Sequence, residues 1–138
     1  MGAWGTGFFE DDTAYDVLAS LMLADPMEQM EEWFANVMDA DYLEYTDAQC
    51  VLVSAAVIDA ALNGTVYSCD DEETLAAVVA VVKGANPKET VKISTVLLER
   101  VLGDSSELRE LWEENQELYP MWRRGIEDLV ARLDVISA

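Results

Sequence analysis

The sequence predicts an all-α fold: a single compact domain of six to seven helices over residues 11–138, with a glycine- and aromatic-rich segment, residues 1–10, packed on its core. Three observations carry this. Helix-start signals recur, twice as a capping residue followed by proline and then, three positions after the cap, glutamate: Asp25-Pro26-Met27-Glu28 and Asn86-Pro87-Lys88-Glu89. Between such signals the apolar residues fall at three- and four-residue spacing. No pair of alternating segments flanks a hairpin turn. A chain of 138 residues, 51% of them hydrophobic, is long enough to bury one substantial core.

Taken in order, Asp11 or Asp12 caps a first helix to about Leu23 that buries Val17, Leu18, Leu21 and Met22. Asp25 and Pro26 open a second to about Met38, with Met27, Met30, Phe34, Val37 and Met38 at core spacing. Thr46-Asp47-Ala48-Gln49 has the form of a capping box and starts a third through Leu62, stopped by Asn63-Gly64. Apolar side chains cover nearly every side of Cys50–Leu62, which marks this helix as the buried centre. Thr65-Val66-Tyr67-Ser68-Cys69 reads as a short extended piece. Asp70-Asp71-Glu72-Glu73 places negative charge on the first turn of a fourth helix, where the dipole favours it, and Lys83 and Gly84 close it. Asn86 and Pro87 open a fifth to Leu102, closed by Gly103; Asp104-Ser105-Ser106-Glu107 opens a sixth to about Leu118. Pro120 begins a seventh that carries Met121, Trp122, Ile126, Leu129, Val130 and Leu133 inward.

The N-terminus reads Met1-Gly2-Ala3-Trp4-Gly5-Thr6-Gly7-Phe8-Phe9, followed by Glu10-Asp11-Asp12. Glycines at 2, 5 and 7 permit tight turns, while Trp4, Phe8 and Phe9 are anchors for a plug on the core. A glycine loop ahead of a helix also suits phosphate, but no lysine follows it, and Glu10, Asp11, Asp12 and Asp16 repel anions. Gly2 with Thr6 fits a myristoylation pattern, yet one acyl chain without a basic patch holds a membrane only marginally. This run, from Met1 to Asp16, resembles the start of an uncharacterised bacterial family of small acidic proteins that begin with a GAWGTG-like motif. The likeness resumes at Ser106-Glu107-Leu108-Arg109-Glu110-Leu111-Trp112-Glu113-Glu114 and in the leucine-rich tail to Leu133. The resemblance implies a small helical domain and brings no catalytic residues with it.

Charge is the strongest compositional signal. Residues 1–82 hold 17 of the 28 acids and none of the 8 bases, a net −17, against −3 for residues 83–138. Nucleic-acid binders carry a basic footprint, so direct DNA or RNA binding is not expected. Anionic membranes are disfavoured too, and no uninterrupted apolar run reaches the length of a membrane span. No secretory signal is visible, and two cysteines, Cys50 and Cys69, are too few for a disulfide framework, so a reduced, cytoplasmic protein is expected. Basic protein partners would be attracted and steered.

The chain contains no histidine, which removes Ser-His and Cys-His pairs and histidine metal ligands. Neither CxxC spacing nor a P-loop nor a nucleophile elbow is present. No catalytic residue, cofactor or metal site is therefore assigned. Glu28, Glu31 and Glu32 with Asp11, Asp12 or Asp16 could surround a hard cation only if the fold brings them together. Asp59, inside the apolar third helix, needs donors. They come either from Trp4, Thr6 or the backbone of the N-terminal plug, with Gly2, Gly5 and Gly7, or from an arginine of the C-terminal half. Arg123 and Arg124 are expected to pair with acids of the first half. The candidate partner interface is Glu31, Glu32, Trp33, Asp39, Asp41, Tyr42, Glu44 and Tyr45, where aromatic anchors alternate with acids. The expected function is a non-enzymatic acidic protein docking on a basic protein, of immunity or inhibitor type. The alternatives are a DNA mimic, which needs exposed acid rows, and a carboxylate metalloenzyme, which needs converging acids.

Overall fold

The computed structural model describes residues 5–137. Seven α-helices follow one another: α1 Asp12–Leu23, α2 Pro26–Asp39, α3 Tyr45–Asn63, α4 Glu72–Ala85, α5 Val91–Val101, α6 Glu107–Glu113 and α7 Tyr119–Ser137. No strand occurs among the described residues. Helix α3 is the axis of the molecule, touching all six others. Every residue from Ala48 to Asp59 is buried, and Ser54, Ala55 and Ala56 keep its surface narrow enough for neighbours to close in on several sides. Helix α3 has the length and apolar composition of a membrane span, so spans cannot be dismissed on run length alone; here its surroundings are other helices.

Capping chemistry explains most helix starts. Asp11 Oδ1 accepts from Thr13 N at 2.7 Å and Ala14 N at 3.1 Å. Asp25 does the same for α2, accepting from Met27 N at 3.0 Å, with Pro26 in the first helical position. Asp71 caps α4 through Thr74 N at 3.2 Å, and Ser106 caps α6. Helix α3 stops at Gly64, which takes the left-handed conformation, φ +71°.

Four boundaries differ from expectation, each for a local reason. Helix α3 starts at Tyr45, with Glu44 and not Thr46 as cap. Asp47 accepts from Glu44 N at 3.3 Å, and Glu107 of α6 accepts from Tyr45 N at 2.7 Å, so distant chemistry helps to start the helix two residues early. Helix α4 runs past Gly84 to Ala85, and Asn86 is the left-handed terminator, φ 53°. Committed to that conformation, Asn86 cannot adopt the extended geometry of an N-cap, so Pro87–Thr90 forms a 3-10 turn before α5. Helix α6 ends at Glu113, since Asn115 turns the chain and its side chain accepts from Leu118 N at 3.1 Å, before α7 begins at Tyr119. Thr65–Cys69 joins no sheet; an isolated bridge pairs Leu43 with Ser106, strapping the α2–α3 loop to the start of α6.

The core holds Phe9, Leu18, Leu21, Met30, Phe34, Leu43, Ile58, Leu97, Leu98, Leu108 and Ile126, all essentially inaccessible. Three methionines expected there are outside it: Met22, Met38 and Met121 are 52%, 48% and 60% exposed. Each lies at the edge of its helix's apolar stripe, where the neighbouring helix does not extend over it.

Candidate functional site

Helix α2 is the most one-sided element. Pro26, Met30, Phe34 and Val37 point inward, whereas Glu28, Glu31, Glu32 and Asp39 are exposed. At 3.6 residues per turn, Glu28, Glu32 and Asp39 share the outer face with Ala35, and Glu31 flanks them. Trp33 is about 100° further round than Glu32 and is half-buried against the core. It is a flank of the acidic face and not its centre.

The loop after α2 gathers acids from a distant segment. The guanidinium of Arg100 reaches from α5 to the Val37 and Ala40 carbonyls, the latter at 2.5 Å, and so ties down the end of α2. With the Leu43–Ser106 bridge this places Tyr42 beside α6, where its phenol donates to Glu110 Oε2 at 3.0 Å. Asp41, Tyr42 and Glu44 are exposed, and Glu107 and Glu110 complete the surround. Local desolvation, the hydrogen bond to Glu110 and the nearby carboxylates hold the Tyr42 phenol above its ordinary pKa, so it stays a neutral donor. Tyr45 is different. It turns inward, donates to Asp11, and is pushed up by burial and by that carboxylate. It ties α3 to the α1 cap and is not part of the open surface. Glu107 and Glu110 were missed in the sequence, because no local pattern shows that α6 docks beside residue 42.

Few cations face these acids. Arg109 is held by Asp104 at 2.7 Å and Glu113 at 2.5 Å. Arg123 pairs with Glu127 of its own helix at 3.4 Å and donates to Tyr119 Oη at 3.2 Å, which corrects the expectation that it meets first-half acids. Arg124 is exposed on α7, with no ion pair among the described residues. Among the described residues, only Arg132 forms an ion pair with an acid of residues 1–82, and that acid is Asp59.

Asp59 is fully buried and its two oxygens are satisfied. Arg132 Nε donates at 3.0 Å, Tyr67 Oη at 2.5 Å and Asn63 Nδ2 at 2.7 Å. Burial opposes its charge, but the hydrogen bonds from Tyr67, Asn63, Thr65 and Arg132 outweigh it and hold the carboxyl below the usual range. Of the two donor sets considered, the C-terminal arginine is the one found. The buried Cys50 thiol is pushed up to about 12 by burial and by Asp47, which makes it inert. Gly2 and Trp4 lie outside the described residues. Gly5 and Gly7 lie against the carboxylate of Glu10; a Cβ on Gly7 would sit 2.5 Å from Glu10 Oε1, and one on Gly5 closer still. The loop thus encloses a carboxylate of the chain itself, where an external phosphate would meet like charge. Phe8, tilted, and Phe9, edge-on, each meet the Tyr67 ring at 5.8 Å, joining this loop to the Asp59 network. Among the described residues, no group of three acids or cysteines has metal-holding geometry.

The molecule is thus a seven-helix acidic domain whose chemistry-bearing side chains build structure inside and a carboxylate surface outside. The chain belongs to the family described as Domain of unknown function (DUF4259), whose model matches residues 2–125. The match runs through the middle of the chain as well as the N-terminal motif, and stops within α7 before Arg132. No curated protein and no solved structure matches.

Proposed function

We propose that this domain is a non-enzymatic binding protein that docks on a basic protein partner, in the manner of an immunity or inhibitor protein, in the cytoplasm. The observation that carries the reading is the separation of charge: of the first 82 residues' acids only Asp59 has an ion-pair partner among the described residues, and it is buried. The exposed acids of α2, with Asp41, Glu44, Glu107 and Glu110 around Tyr42, therefore keep their field for an external cation. Desolvated aromatic anchors ringed by charge are what tight interfaces use, the acids steering approach and the ring supplying contact area. The outer row of α2 is interrupted by Ala35, which favours a protein face over a phosphate-like ladder.

The test is retention of partners from an extract of the source cells at low and at high salt. The expected result is a basic protein retained at about 50 mM salt, released as screening shortens the reach of exposed charges, and held at least tenfold more weakly by Tyr42→Ala or Glu110→Lys. A partner held equally at high salt, or one indifferent to both substitutions, would overturn the reading. Release by free DNA of a retained nucleic-acid enzyme would replace it with mimicry.

A further inference from the structure

The exposure of Met22 has company. At the corner where α1 turns into α2, Leu21, Met22 and Pro26 face Ala77, Val78 and Val81 of α4 across an open groove of about 340 Å³. Its lining is mostly apolar and two of its side chains are bare on opposite sides: Val81 is 53% exposed and Met22 52%. Contiguous exposed apolar surface beside charge marks an interaction site. Walls contributed by two helices, with an exposed apolar side chain on each, make the kind of trough that accepts a third helix by its apolar stripe.

The surroundings select the occupant. Asp25 is on the rim, and Glu73 stands one and two turns before Ala77 and Val81 on the same face of α4. The nearest cation on these helices, Lys83, is about 160° round α4 from Val81 and faces elsewhere. A second copy of this chain, at net charge −20, would bring acids to an acidic rim. A helix with lysines or arginines flanking its aliphatic stripe matches both the floor and the rim. The groove lies at the start of α2 and Tyr42 just past its end, about 21 Å apart along 14 residues, with the acidic outer face of α2 between them.

We infer that the α1–α4 groove is the apolar anchor site for a basic amphipathic helix of the partner protein. This rests on the proposed docking function and names the surface that contributes contact area to it.

The experiment uses a synthetic amphipathic helix of lysine and leucine as probe, with two controls of equal length, lysine with glutamine and glutamate with leucine. Binding to the full chain is followed by the methyl NMR signals of methionine and valine, with Val81→Lys as the variant; Val81 is exposed, and circular dichroism verifies its fold. The expected result is that the lysine–leucine helix shifts Met22 and Val81, the controls do not, and Val81→Lys weakens binding at least tenfold. Shifts confined to Met38 and the Tyr42 loop, with Val81→Lys binding normally, would overturn the groove and leave the docking function standing. No binding by the lysine–leucine helix would overturn both. Concentration-dependent shifts at Met22 and Val81 without peptide, accompanied by a dimer in sedimentation, would assign the groove to a second copy instead.

Discussion

Asp59 sits near the end of the most buried helix, where an unpaired carboxylate would be expensive, and the chain answers with side-chain donors that include Asn63, Tyr67 and Arg132. Two of them, Asn63 and Tyr67, are local, and Arg132 comes from 73 positions away. Asp59→Ala leaves Arg132 and Tyr67 without their acceptor and should cost about 2–4 kcal/mol in urea unfolding. Arg132 is partly exposed and can turn to water, which keeps the loss below that of a fully buried pair. Because the folded-state pKa of Asp59 is depressed, its contribution is present above the unfolded value of roughly 3.9 and is lost as pH falls through the lower folded value. Arg132→Met removes one of the donors that lowers that pKa, so the folded value rises toward the unfolded one. Acid unfolding followed by circular dichroism should then begin at a higher pH than in the parent; an unchanged acid midpoint would mean the arginine contributes nothing to the carboxylate's charge.

At the scale of the element, α2 illustrates how an end can depend on a remote side chain. Its last carbonyls lack the usual i+4 donors; Val37 O accepts from Ala40 N at 3.2 Å, and Arg100 of α5 adds donors to Val37 and Ala40. Arg100→Ala should lower stability by about 1–3 kcal/mol and increase amide exchange at Ala40–Leu43, while Arg100→Lys recovers only part, since an ammonium cannot span both carbonyls as a planar fork does. Normal exchange in the alanine variant would assign the loop's order to the Leu43–Ser106 bridge alone. Helix starts were legible in the sequence where one short segment contains both the cap and what it caps: Asp25 caps α2 as its spacing requires, Asp11 is the one of two adjacent aspartates that caps α1, and the segments opening α4 and α6 contain their caps, Asp71 and Ser106. Legibility fails where the deciding partner is distant. The two-residue extension of α3 depends on Glu107, and the acid ring of Tyr42 depends on α6. It fails again where one residue has two possible duties, as at Asn86, which ends α4 and so cannot start α5. The exposed methionines mark a third limit: apolar spacing tells which side faces inward and not how far the next helix extends.

For the whole molecule, the separation of charge that favours a basic partner also acts on the fold itself. Seventeen acids in the first 82 residues have almost no compensating cations, so bringing α1, α2 and the start of α4 together concentrates like charge that the extended chain holds further apart. Salt should therefore stabilise this protein. Between 0.01 and 0.15 M ionic strength the screening length falls from about 30 Å to about 8 Å, shorter than the 21 Å length of α2. Repulsion across the acidic face is then largely removed, and Tm should rise by several degrees, corresponding to about 1–2 kcal/mol. The double substitution Glu28→Lys with Glu32→Lys reproduces part of that relief without salt. Its Tm at low ionic strength should exceed the parent's, and its further rise on adding salt should be smaller. The same substitution places cations on the surface proposed to attract a basic partner, so it should separate the two roles of the acids: stability increases as binding weakens. If binding is unchanged or tightens, the acids of α2 do not serve a partner.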